Sequence, residues 1–417
     1  VKFFFADSQD MVDPTFDFET ETRAEWRVRQ RDDVYPHEIF GTPPYNGILV
    51  SKAMVDGNGS SGGRYSLAQR QRFWRAGVRA FFRLNDSLET MGDCGAFSYI
   101  REDYPPLTSD EAICFYENCN FDYGISVDHI ILGYQLEADN SPQSVREIPA
   151  DWRRRQEITL ELADEFARLC SVRKVRFIPL GVAQGWSPSS YAYAVDRLQS
   201  MGYQHIALGG MVPLKTQSIL QCLEAIAVVK RSHITMHLLG VTRCDHVAQF
   251  QQYGVVSFDS TSPLRQAFKD DKDNYYTMDR TYVAIRVPQA EGNPQLQARI
   301  RSGELQQEEV RRLESSCLRT LDEYDHGQTS LEIALEHVLA FERIHSPRQD
   351  HSKAYREVLQ DRPWANCPCD VCRKIGIQVI IFRGTERNKR RGFHNLTIFY
   401  AQLQKELASP VLEPGRL

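Results

Sequence analysis

The 417-residue sequence has no run of about 18 consecutive apolar residues, the length a membrane-spanning helix needs, so no membrane span is expected. It has no glycine-rich loop of the P-loop or dinucleotide type, so nothing in it asks for ATP or a redox nucleotide. Internal repeats and low-complexity stretches are missing too, which sets aside solenoids and long linkers. Positive charge is not in excess: 50 Lys and Arg stand against 55 Asp and Glu, a net charge of −5. Composition therefore does not announce a nucleic-acid partner, and any basic surface must be local. The opening Val1-Lys2-Phe3-Phe4-Phe5-Ala6-Asp7 lacks the basic region and long apolar core of a secretion signal and reads as a first strand. Ten cysteines without such a signal suit a reducing cytoplasm, with thiols free or on a metal.

Only one group of cysteines is clustered. Cys367-Pro368-Cys369-Asp370-Val371-Cys372 is followed, after 21 residues, by His394. Three thiolates and an imidazole are a tetrahedral zinc set, and closed sets of this type are structural. Pro368 fixes the backbone between the first two ligands, Cys372 closes the knuckle, and a helix bearing His394 can complete it. The plain alternative is three loop cysteines and an unrelated histidine.

From Gly47 onward short β-rich runs recur: 47–51, 80–84, 96–100, 125–128, 175–179, 205–209, 235–239 and 255–258. Helix-period stretches separate many of them, most clearly 153–170, where Ile158, Leu160, Leu162, Phe166 and Leu169 make an apolar stripe. The pitch is that of βα units, and eight candidate strands predict an α/β fold of the (β/α)8 TIM-barrel type, with an open doubly wound sheet as the alternative. Residues 262–362 lose the strand rhythm and read as a mainly helical insertion. The expected division is an N-terminal segment packing on the barrel (1–46), the catalytic barrel (47–261), the insertion (262–362) and a zinc-binding subdomain with C-terminal helices (363–417).

In such a barrel, chemistry sits at the C-terminal ends of strands. Asp259 ends the strand-like Val255-Val256-Ser257-Phe258, as a catalytic carboxylate or a helix N-cap would. Asp93 lies in Gly92-Asp93-Cys94-Gly95-Ala96-Phe97, where small residues leave room for a planar ring, or where it caps a turn. Gln184-Gly185 and Gly209-Gly210-Met211 each follow a predicted strand. Their backbone groups and the Gln amide could meet a purine edge, or they are tight βα turns.

These motifs, in this order, resemble the tRNA-guanine transglycosylase superfamily over about 47–259 and 365–400. The family's Asp-Ser-Gly-Gly-Phe is similar to Asp93–Phe97, with Cys94 for Ser and Ala96 for the second Gly. Its Val-Gln-Gly and Gly-Gly-Leu segments match Gln184-Gly185 and Gly209-Gly210-Met211. Its nucleophilic Asp ends an apolar strand some 20 residues after a Gly-Val, as Asp259 stands 18 residues after Val241. The resemblance implies Asp259 as nucleophile and Asp93 as general acid/base. It implies Asp128, Gln184, Gly185, Gly209, Gly210 and Met211 around the base, and structural Zn2+ on Cys367, Cys369, Cys372 and His394.

The segment after Asp259, Ser260-Thr261-Ser262-Pro263, departs from the anticodon-reading element of the tRNA enzymes, and the cysteines come 108 residues after Asp259. These departures, with the openings Lys2–Asp7 and Arg31–His37, look like the DpdA-type DNA-guanine transglycosylases. That branch exchanges guanine in DNA for 7-cyano-7-deazaguanine (preQ0). DNA, guanine and preQ0 are the implied partners, with room for an accessory protein that opens or presents DNA. Alternatives are a tRNA substrate, a non-catalytic nucleic-acid-binding partner subunit, and a metal-dependent barrel hydrolase. The last would need a set of strand-end ligands that His129, His233 and His237 do not supply. Arg383, Arg387, Lys389, Arg390 and Arg391 fall within nine residues and are expected to hold the phosphate backbone; a solvated helix face is the bland alternative.

Overall fold

The computed structural model describes residues 1–6, 9–58, 61–139, 148–269 and 272–408. Asp7 and the last nine residues of the expected C-terminal subdomain lie outside them. The chain divides into two compact units: residues 1–8, 45–261 and 403–417, and residues 9–44 and 262–402.

The first unit is a closed, all-parallel eight-stranded barrel. Its strands are β1 (Lys2–Ala6), β2 (Gly47–Ser51), β3 (Glu89–Asp93), β4 (Tyr123–Ile125), β5 (Ile178–Ala183), β6 (His205–Leu208), β7 (Thr235–Leu238) and β8 (Val255–Ser260). Each pairs with its neighbours in sequence, and β1 closes the ring by pairing with both β2 and β8. Most of the strands other than β3 are largely apolar, because parallel strands are covered on both faces. Phe4, Leu49, Met91, Ile125, Leu180, Val182 and Ala207 form the packed interior. Helices Leu67–Phe82, Ser109–Asn118, Ala150–Arg173, Pro188–Ser200 and Thr216–Val229 fill crossovers. Several start on caps that the sequence spells out. Ser187 accepts from the Ser190 amide just before Pro188, and Thr108 and Glu111 form a reciprocal capping box.

The barrel expectation holds, but two of its strands are not the expected ones. Residues 80–82 end the helix Leu67–Phe82 instead, which is kinked at Gly77, and Val78, Phe81 and Phe82 are buried beyond the kink. Residues 96–99 form a 3₁₀ turn. Their places are taken by β1 and by β3, Glu89-Thr90-Met91-Gly92-Asp93, which has one large apolar side chain and little strand signature. Its polarity is met by a residue distant in sequence, as the Thr90 hydroxyl donates to Asp122 at 3.0 Å.

The second unit differs from the expected division as well. Residues 1–46 are not one segment, because Lys2–Ala6 is a barrel strand while 9–44 group with 262–402. The helical insertion and the Cys/His cluster belong to that same unit. Its main helices are Gln307–Asp325, Leu331–His345, Ser352–Asp361 and most of Gly384–Ala408.

The basic run stands corrected here. Arg387, Lys389, Arg390 and Arg391 lie in the first turns of the helix over Gly384–Ala408, Arg383 just precedes it, and four of the five cations point inward. Arg383 is buried between Glu21 (2.6 and 2.7 Å) and Glu314 (2.6 Å). Arg387 pairs with Glu21, and Arg390 with Glu386 at 2.6 Å. Arg391, wholly enclosed, donates to the carbonyls of Val379, Ile381 and Ala267 and to Asn388. Burial pushes its guanidinium down to about 9. Lys389 reaches the Met11 carbonyl. The density of cations reflects a buried ion-pair network whose carboxylate partners are Glu21, Glu314 and Glu386, with the Asp13 backbone carbonyl accepting from Arg390. The four arginines are engaged inside the protein and are not offered to solvent as the sequence reading expected.

Candidate active site

All eight strand ends converge at the C-terminal mouth of the barrel around a cavity of about 390 Å³, with Ala6 of β1 and Ser51 of β2 in its lining. Asp93 ends β3, Asp128 follows β4, Gln184 follows β5, Gly209 and Gly210 follow β6, Gly240 follows β7, and Asp259 lies near the end of β8. All seven line this cavity. Two residues expected at the base do not. Gly185 packs against Ser190 and Tyr191, and Met211 is fully buried.

The three carboxylates have different environments. Asp93 accepts from the Gly95 amide at 3.0 Å, and burial, then the charges of Asp128 and Asp259, push its carboxyl up to about 7. Asp128 is buried and also raised, by burial, against the pull of donors. The Cys94 thiol donates to its Oδ1 (3.2 Å) and the Gln184 amide to its Oδ2 (2.6 Å). Asp259 accepts at Oδ1 from the Gly240 amide (2.8 Å) and from His237 Nε2 (3.2 Å).

Local backbone explains the tolerated departures. Gly95 has φ +89, and a Cβ there would stand 2.3 Å from the Ser51 hydroxyl, so this glycine is required. Ala96 opens the 3₁₀ turn without a positive φ, so a methyl costs nothing. Cys94 supplies a donor where the family has a hydroxyl, and burial raises its thiol well above the ordinary range, so it is no nucleophile. A Cβ on Gly209 would meet Gln184 Nε2 at 2.2 Å, so the Gly-Gly pair exists to let Gln184 lie against the backbone. Gln184 Oε1 accepts from the Ile131 amide at 3.1 Å, which fixes its amide orientation.

Sequence reasoning missed several lining or supporting groups. Phe97 is 59 % exposed and lines the cavity, a flat apolar surface suited to a base. Arg64 is the only cation, among the described residues, that lines it. His237 is buried on β7, between Ser257 and Asp259 of β8. The signal was available: one imidazole in an apolar strand, beside a strand carrying Ser257 and Asp259 two apart, on one face.

The metal expectation finds its geometry in the second unit. Donor atoms of Cys367, Cys369, Cys372 and His394 lie within 4.8 Å of one another and could hold a metal ion. His394 Nδ1 stands 3.5, 3.4 and 3.3 Å from the three sulfurs. A tetrahedral zinc ion with ordinary bond lengths would set N···S edges of about 3.6 Å. His394 Nε2 donates to the Tyr276 carbonyl at 2.7 Å, leaving the Nδ1 lone pair toward the sulfurs. The Cys372 amide donates to Cys369 Sγ at 3.3 Å, as in a zinc knuckle.

No helix among the described residues is long and apolar enough to cross a membrane. No family model matches the chain. A curated protein of Salmonella montevideo, described as DNA-guanine transglycosylase, is 52 % identical over 412 residues, covering 98 % of each chain.

Proposed function

This chain belongs to the DNA-guanine transglycosylases, base-exchanging pentosyltransferases, and from that premise we propose that it replaces guanine in DNA with preQ0 through a covalent Asp259–deoxyribose intermediate. The observation that carries the mechanism is the pairing of two unlike carboxylates in one cavity. Asp259 has two N–H donors on one oxygen, and Asp93 is pushed up to about 7.

In the first half-reaction an Asp259 oxygen forms a bond to C1′ as the bond from C1′ to guanine breaks. The electron pair leaves with the base, and the Asp93 carboxyl supplies the proton that makes it neutral guanine. In the second, preQ0 gives its ring N–H proton to Asp93 and its nitrogen attacks C1′, releasing Asp259. Asp128 and Gln184 face the base, with Gly209 and Gly210 beside them, and the Phe97 ring offers a stacking face. The target nucleotide must leave the helix stack to enter, so an accessory protein that opens DNA fits the scheme. Zinc on the Cys₃His set has a structural part only: it would tie the knuckle to the helix bearing His394. A tRNA substrate and a catalytically silent subunit gain no specific support, and both Asp93 and Asp259 are present.

Two measurements test this reading together. Nucleoside analysis of DNA and tRNA from cells expressing the protein with a preQ0 supply should find the modified base in DNA alone. Incubation with DNA without preQ0 should leave a denaturation-resistant protein–DNA adduct that Asp259→Ala abolishes. Modified tRNA with unmodified DNA, or an adduct surviving in Asp259→Ala, would refute it.

A further inference from the structure

The two oxygens of Asp259 are not equivalent. Oδ1 accepts from the Gly240 amide at 2.8 Å and from His237 Nε2 at 3.2 Å. No group among the described residues donates to Oδ2, and Asp259 lines the catalytic cavity. His237 is itself held: its Nδ1 stands 2.8 Å from the Ser257 hydroxyl, and Phe4 meets the ring edge-on at 6.0 Å. Ser257 pairs with His237 across β7 and β8, and Ser257 and Asp259 lie two apart on one strand. When Ser257 O–H donates to Nδ1, the ring's proton is left on Nε2, aimed at Asp259.

We infer that His237 is a positioning residue for the nucleophile: with the Gly240 amide it pins Oδ1 so that Oδ2 alone is presented to C1′, and Ser257 sets the tautomer that makes this possible. The inference rests on Asp259 being the nucleophile. Two N–H donors on one oxygen stabilise negative charge on the carboxylate more than they stabilise an ester carbonyl. They therefore fix the attacking geometry in the first half-reaction and favour release of the carboxylate in the second. No atom of His237 is consumed in either step.

Other charged groups near the ring are few. Asp259 faces it from β8. Around a smaller cavity of about 190 Å³ at the other end of the barrel, which His237 and Ser257 also line, stand Lys2 of β1, Glu89 of β3, Tyr123 of β4 and His205 of β6. Lys2 and Glu89 pair with each other at 2.5 Å, and burial keeps His205 below the ordinary histidine range. Asp259 is thus the charged group that His237 contacts.

The test is the single-turnover rate of adduct formation on a guanine-containing DNA oligonucleotide without preQ0, followed from about pH 5 to pH 9. The proteins compared are the full-length wild type, His237→Phe, His237→Gln and Ser257→Ala, with thermal melting alongside. His237→Phe keeps the ring and removes the donor. Its rate should fall about ten- to a hundredfold, and the acid side of its pH profile should move to higher pH. His237→Gln, which keeps an N–H, should recover most of the rate and the profile, a rescue that a packing role does not predict. Ser257→Ala should shift the profile the same way by less, and carries the test with His237→Gln should His237→Phe not fold. An unchanged rate and profile in folded His237→Phe, or His237→Gln no better than His237→Phe, overturns the inference alone. A wild type that forms no adduct through Asp259 overturns the nucleophile assignment and this inference with it.

Discussion

At the mouth of the barrel Asp93, Asp128 and Asp259 share one cavity with Arg64. In the second unit Arg383, Arg387 and Arg390 are each buried against Glu21, Glu314 or Glu386. Both regions take charge out of water, which is costly unless it is matched. In the arginine network it is matched closely. Glu21 is held down to about 2: burial opposes its ionisation, but bonds from Arg383 and Gln289 and the charges of Arg383 and Arg387 prevail. At the barrel mouth carboxylates face carboxylates, and Asp93 is driven up to about 7. Matched charge makes a rigid structure; mismatched charge leaves a proton available near neutral pH, which is what general acid catalysis needs.

The largest effect should come from removing that proton. Asp93→Asn keeps the shape and the Gly95 contact region but cannot protonate the leaving base, and turnover should fall about 10²- to 10⁴-fold. In the wild type, adduct formation should decline as pH rises through about 7, where Asp93 loses its proton; in Asp93→Asn that decline should vanish. A wild-type rate that stays flat through neutral pH would remove Asp93 from the acid role. Next in size is the metal site. Cys369→Ser removes one of the four residues that could hold a metal ion, and zinc bound there would add its binding free energy to the folding of the second unit. Purified wild type should carry about one zinc per chain, and the variant should lose zinc and cooperative melting of that unit; well-folded, zinc-free protein would contradict this.

Much of this was legible in the sequence where chemistry is local. The cysteine spacing located four residues that come together and could hold a metal ion, because a knuckle is a short-range object and His394 rides on a helix. Asp93, Gln184 and Asp259 were legible because the barrel topology delivers strand ends to one face, and Asp128 through the family resemblance; all four line the cavity. What failed was non-local. β3 was hidden because Thr90 and Glu89 look polar until Asp122 and Lys2 are beside them. The arginine run was hard to read because two of its partners, the Glu21 carboxylate and the Asp13 carbonyl, are more than 350 residues away in sequence. Periodicity reports a residue's own face of an element and is silent on who fills the space opposite.

The smallest effect separates the two kinds of buried charge by stability alone. Glu21→Gln removes the carboxylate that both Arg383 and Arg387 contact and leaves two buried guanidiniums short of a counter-charge. The expected cost is about 3 kcal/mol, the order found when one partner of a buried pair is removed. The sign with pH follows from linkage. The folded carboxyl is held at about 2, below its ordinary value of 4.5, so its contribution is complete above that ordinary value. It is lost as pH falls from about 4.5 toward 2. Wild type and Glu21→Gln should therefore differ most in denaturant midpoint near neutral pH and converge in acid. Adduct formation per folded molecule should stay unchanged if the network is structural only. A constant gap across that acid window would mean that Glu21 acts through packing and not through charge. A loss of adduct formation in folded Glu21→Gln would erase the distinction between the two regions.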